Sequence, residues 1–235
     1  MKRVWTVAFL YWVVVSALCC WLYPVTVYDT MARYAPMADA FARGDWQYAF
    51  HPRFGVLFTT LAGCVSWATG LKGDCACQVV ATFFLAISSV PAWAIAKRVF
   101  GDAFVAWIVA VMVLVATEYF VYAQDGLRDT VRIFGIAMCA YAFLSGKAWS
   151  VAVGLFCLVT VRTDLFVISG AILVAWTVFC LVSASRRSFV AVAGPGFSWL
   201  LGANLMCLMT YLMTGWYLPG TQFITHLTRI AGGAR

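Results

Sequence analysis

Eight stretches of this chain run fourteen residues or more without a charged side chain, and the breaks between them are short. A chain patterned in this way must bury its apolar runs on all sides, and a bilayer is the solvent that permits it. Only 11% of its residues are charged and 64% are hydrophobic, against about 25% charged in soluble domains. The chain therefore reads as an all-α polytopic membrane protein. A spanning helix takes about 20 apolar residues. Strong helix breakers are few, which favours helices over a barrel.

The predicted spans are 4–23, 75–96, 103–122, 130–146, 148–161, 165–184 and 189–213, with a tail over 216–235. Met1-Lys2-Arg3 followed by an apolar run to Leu22 is long for a cleaved signal, so it is expected to stay as the first span with its N-terminus inside. The polar segment 25–74 then forms the first outer loop. Within it Met31, Tyr34, Ala35, Ala38, Phe41 and Ala42 recur at helical spacing and predict a surface helix ended by Gly44. The run 52–70 has two readings, a further span or a second surface helix. As a span it turns Lys97-Arg98 and Arg186-Arg187 outward. As a surface helix it leaves Lys2-Arg3, Lys97-Arg98, Lys147 and Arg186-Arg187 inside, and every acid except Asp102 outside. The positive-inside rule prefers the second.

The net charge of +7 sits largely in those short loops, so it speaks for topology rather than for nucleic acid. Of the nine cysteines, Cys19, Cys20, Cys139, Cys157, Cys180 and Cys207 read as small hydrophobes within spans. A disulfide among Cys64, Cys75 and Cys77 is one arrangement their position allows, though spacing cannot establish it.

Three outer breaks each combine acid with arginine: Asp29/Arg33, Asp125/Arg128/Asp129/Arg132 and Arg162/Asp164. The simplest reading has such charges orient helices at the interface. Asp29, Asp129, Arg132 and Arg162 go beyond it, because ionisable groups at the membrane edge are functional candidates by default. Arg132 lies one turn into its span, where it can pair with Asp129 or meet a phosphate. Glu118 could join the same cluster. His51 and His226 each lack a visible partner. Trp21, Tyr23, Tyr28, Trp46, Tyr48, Tyr119, Tyr122, Trp216 and Tyr217 read as interfacial anchors.

The pattern Asp29-x4-Tyr34-x3-Ala38-x5-Gly44-Asp45-Trp46, then His51-Pro52, resembles the first outer loop of the GT-C membrane glycosyltransferases, nearest their protein mannosyltransferase and aminoarabinose transferase branch. Ala94 to Gly101 resembles the inner turn of that family, Leu127-Arg128-Asp129-Thr130 its later outer-loop acid, and Val161-Arg162-Thr163-Asp164 the basic residue after its fifth span. The order and spacing of these segments over about 1–185 carry the likeness. Thr30 stands where many members have a second acid, and Arg53 where they often have Pro.

The resemblance implies a seven-helix GT-C module over 1–215 with one or two juxtamembrane helices. It implies transfer of a sugar from a polyprenyl-phosphate donor to an acceptor glycan, lipid or protein at the outer face. Asp29 would be the general base, and Asp129 would orient the acceptor or sugar. Arg132, Arg128 and Arg162 would bind the donor phosphate, with Asp125, Glu118, Asp164, His51 and Tyr34 as further substrate-binding candidates. A divalent cation is an open cofactor expectation. The expected location is the bacterial cytoplasmic membrane. Members usually carry further spans, so a non-catalytic subunit working with a partner stands as the alternative, and a small transporter behind it.

Overall fold

The computed structural model describes residues 2–49, 56–161, 165–182 and 189–214, and every regular element among them is a helix. Among the described residues three helices are long and apolar enough to cross a membrane: α1 (Lys2–Leu22), α5 (Gly73–Phe100) and α10 (Leu165–Val182). Between α1 and α5 the chain forms a π-helical turn (Thr30–Tyr34) and then α2 (Ala35–Ala42), α3 (Trp46–Ala49) and α4 (Leu57–Thr69). After α5 come α6 (Ala103–Val115), α7 (Thr117–Gln124), α8 (Asp129–Ser145) and α9 (Ala148–Val161), and α11 (Phe189–Thr214) follows α10.

The helix ends follow from local chemistry. Gly44, Gly70, Gly101 and Gly146 take left-handed φ between 70° and 78° and stop α2, α4, α5 and α8, a conformation that costs glycine nothing. At the end of α5 the Lys97 ammonium also donates to the Gly101 carbonyl at 2.6 Å. At its start the Asp39 carboxylate, reaching over from α2, accepts from Gly73 N at 2.7 Å. That contact satisfies one of the unpaired N–H groups of the first turn and sets a negative charge at the positive end of the helix. Asp39→Ala is therefore expected to lower stability by about 1 kcal/mol, read as a fall in thermal midpoint of the solubilised protein. Asp45→Ala should leave the midpoint nearly unchanged, because its exposed carboxylate accepts only a 3.3 Å bond from Tyr48 N.

Contacts along the helices fix their directions. Ser16 meets Thr82 and Cys20 meets Cys75, so α1 and α5 are antiparallel. Gln78 of α5 bonds to Gln124 at the far end of the α6–α7 arm. Ser150 donates to the Met138 carbonyl and Gly135 faces Gly154, so α8 and α9 are antiparallel. Trp176 donates to Ala191 and Trp199 to Ser169, giving the same relation for α10 and α11. Two unlike ends result. One carries Lys2, Arg3, Lys97, Arg98, Asp102 and Lys147 at the start of α1, the α5–α6 turn and the α8–α9 turn. The other carries Asp29, Asp39, Asp45, Asp74, Asp125 and Asp129, with Arg33, Arg43, Lys72, Arg128 and Arg132 among them.

Within the run 52–70 the described residues begin at Val56 and form α4, of 13 residues, about 20 Å long at 1.5 Å per residue. Its first neighbour, Val56 N, bonds to the Thr160 carbonyl near the end of α9. Its exit leads through Ser66 Oγ donating to Leu71 O and on to the Gly73–Asp39 contact. Both ends thus lie at the acidic end of the bundle, and α4 does not traverse it. With α2 it is packed into the core through Tyr34, Ala38, Phe58 and Ala62, against Ala76, Cys77, Val80 and Phe84 of α5 and Val131, Phe134 and Met138 of α8. Gly63 lets α4 lie directly on the Phe41 ring, whose Cβ sits 2.5 Å from where a Cβ would be.

Three expectations need correction. The run 103–122 is not one straight helix, because it breaks at Ala116 and bends by 45° into α7. Neither Pro nor Gly lies there. Instead Tyr11 Oη of α1 donates to the Leu114 carbonyl at 2.6 Å, occupying the acceptor that a continuous helix would offer to residue 118. Met31, assigned to the apolar face of the loop helix, is 57% exposed, and Met37 is buried in its stead. Cys64, Cys75 and Cys77 are free thiols. Cys77 is buried and Cys64 exposed on α4, so they are not the linked set that their spacing allowed.

Candidate functional site at the acidic end

The acidic end is assembled by docking the first loop onto the α7–α8 turn. Thr30 is fully buried, and its hydroxyl donates to the Asp125 carbonyl at 2.6 Å. Thr26 Oγ1 donates to the Asp125 carboxylate at 3.3 Å. One turn further, the Arg128 guanidinium lies over the Tyr34 ring at 5.5 Å and also donates to the Val161 carbonyl at 3.4 Å. Tyr34 in turn packs edge-on against Phe58 of α4. Below them the Gln78 amide donates both to Tyr23 O at 2.9 Å and to Gln124 O at 2.7 Å, tying the end of α1 to the end of α7. Gly126 completes the turn with φ +64°, pressed against Cys77 of α5.

Two ion pairs crown this platform. Arg33 meets Asp29 at 2.8 Å, with side chains 40% and 46% exposed, and Arg33 also lies over the Tyr28 ring at 5.6 Å. Arg132 meets Asp129 at 3.1 Å, with side chains 34% and 22% exposed. Each pair is local in sequence, four and three residues apart, as helix geometry allows. Thr30 and Arg128, the immediate neighbours of Asp29 and Asp129, are the residues that lock the two segments together. Both carboxylates therefore belong to one assembled end, partly open to a ligand.

The other candidates separate into groups. Asp125 and Arg128 are 6% and 8% exposed and engaged in the docking itself. Tyr34, 2% exposed, serves as the surface on which Arg128 rests. Glu118 is exposed at the start of α7, seven residues and thus about 10 Å of helix axis from Asp125, and it is not drawn into the docking. Arg162, Asp164, His51 and His226 lie outside the described residues. Among the described residues no group of three or more His, Cys, Asp or Glu converges as a metal site would. An apolar groove lined by Trp5, Phe9, Trp12 and Phe83 lies between α1 and α5, away from the acids.

Sequence reasoning missed the positioning residues Thr30, Gly126, Asp39 and Gln78. Thr30 showed itself only as a departure from the family pattern, and the Asp125-Gly126 pair is the turn signal that would have found Gly126. Thr30→Val keeps the shape of the side chain and removes its donor. It is expected to cost about 1–3 kcal/mol by leaving a buried carbonyl short of its partner, seen as a lower thermal midpoint and faster proteolysis within 31–49.

Comparison of the chain with protein-family models, with curated proteins and with solved structures finds no match.

Proposed function

We propose that this chain is a membrane-embedded glycosyltransferase of the GT-C type, moving a sugar from a polyprenyl-phosphate donor to an acceptor at the outer membrane face. The observation that carries this reading is the docking of Thr30 on Asp125 and of Arg128 on Tyr34, which gathers Asp29/Arg33 and Asp129/Arg132 at one end of the bundle. The opposite end holds Lys2, Arg3, Lys97, Arg98 and Lys147, and the positive-inside rule assigns such clusters to the cytoplasm. Seven membrane crossings follow if the bent α6–α7 arm and the shorter α8 and α9 each cross once.

In this reading the acceptor hydroxyl or amine attacks the anomeric carbon of the donor. The bond from that carbon to the phosphate oxygen breaks, and the phosphate leaves with the electron pair. Asp29 accepts the acceptor's proton, and Arg33 holds its carboxylate in place. Arg132 stands at the entrance of α8, where its guanidinium can exchange Asp129 for the departing phosphate. Asp129, released from Arg132, orients the incoming group. Arg128 supports the site from beneath. Direct displacement inverts the sugar carbon.

Mass spectrometry of lipid co-purified with the protein tests the reading, with a prenyl phosphate or its glycosylated form as the expected finding. Tags at residues 73 and 127 are expected on the outer side. Residue 127 on the inner side, or a protein that never carries prenyl lipid, would return the chain to the reading of a non-catalytic subunit.

A further inference from the structure

We propose that Cys20 and Cys75 are a disulfide-forming pair that clasps the first loop at its base. Cys20 lies in the last turn of α1 and Cys75 in the first turn of α5. Each thiol is directed at the other residue: Cys20 Sγ donates to the Cys75 carbonyl at 3.5 Å, and Cys75 Sγ to the Cys20 carbonyl at 3.8 Å. Reciprocal contact of this kind brings the two residues within the span that a disulfide bridges. Both side chains are partly exposed, whereas their neighbours Cys19 and Cys77 are buried. An exchanging reagent therefore reaches this pair before those neighbours.

The reaction is thiol–disulfide exchange with an external disulfide. One cysteine, as its thiolate, attacks the reagent's disulfide and expels one reagent thiolate. The second cysteine, as its thiolate, then attacks the mixed disulfide and expels the other. The protein loses two protons and two electrons, and the reagent gains them as two thiols. The bond closes the segment that carries Asp29, Arg33, Tyr34 and α2 to α4, at the level where Gln78 already ties Tyr23 to Gln124. Oxidation thus fixes α1 to α5 beneath the acidic platform. That the pair meets an oxidising compartment rests on the outward placement proposed above.

The full chain, in nanodiscs, is treated with oxidised glutathione, freed of the reagent, denatured and labelled with polymer-linked maleimide. Of nine cysteines, two are expected to be protected after oxidation and recovered with dithiothreitol. Cys20→Ser and Cys75→Ser should each abolish the protection, while Cys64→Ser and Cys77→Ser retain it. Nine labelled thiols in the oxidised wild type would overturn the pairing, as would protection that survives both Cys20→Ser and Cys75→Ser. A membrane-impermeant maleimide applied to intact cells reads the side separately through exposed Cys64. If Cys64 stays unlabelled while the pair closes in nanodiscs, the clasp stands and the outward placement falls.

Discussion

Under the proposed glycosyltransferase reading, Asp29→Asn is expected to reduce sugar transfer by a factor of about 100 or more, the lower range for losing a general base, while leaving the fold intact. The substitution keeps the size of the side chain and its ability to accept a bond from Arg33. It removes the capacity to hold a proton taken from an acceptor. The fold should scarcely register the change, because the Asp29–Arg33 pair is close to half exposed on both sides and exposed pairs contribute about 0–1 kcal/mol. Two readouts separate the cases. Release of prenyl phosphate from a panel of polyprenyl-phosphate sugars should fall, and the thermal midpoint should stay within a degree or two of wild type. Undiminished release removes Asp29 from the base role. A collapsed midpoint makes it a structural residue.

What the sequence made legible is what local physics decides. The start of α9 at Ala148 matches that of the apolar run 148–161, because Lys147 precedes it. Gly44, Gly101 and Gly146 end their helices where a residue tolerant of left-handed backbone is required. The Arg132–Asp129 pair could be read at three residues' spacing, because that spacing is a helix contact. Both ends of α4 lie at one end of the bundle, the arrangement that the charge argument preferred for the run 52–70. Features made by distant partners were not legible. The bend at Ala116 has its cause in Tyr11, more than a hundred positions away. Thr30 looks like an ordinary loop residue until Asp125 is set above it. Cys20 looked like a small hydrophobe of the first span and Cys75 like one of three interface cysteines, and only the antiparallel seating of α1 on α5 sets each thiol against the other's carbonyl. Periodicity reports which face of a helix is buried, but not which helix covers it.

Gly126→Ala is expected to be strongly damaging at the acidic end, because two independent costs fall on one atom. The backbone there has φ +64°, which costs a non-glycine residue about 1–2 kcal/mol. The added Cβ would also stand 2.9 Å from the Cys77 Cβ and 3.2 Å from the Gln78 nitrogen. Cys77 is wholly buried and its helix cannot retreat without disturbing the core, so overpacking adds about 1–3 kcal/mol. Gly44→Ala is the control. It has φ +78° but nothing within 4 Å of the new methyl, so it should show the conformational cost alone. The difference between the two thermal midpoints isolates the clash. Position matters as well as energy, since the Asp125 and Gly126 carbonyls are what the Thr30 hydroxyl reaches, at 2.6 and 3.4 Å. A turn pushed off α5 takes Thr30 with it, and Asp29 is the next residue. Gly126→Ala should therefore lower stability and transfer together, where Asp29→Asn lowers transfer alone. Equal midpoints for Gly126→Ala and Gly44→Ala would mean that the turn yields without strain, and the docking would then not hold Asp29 in register.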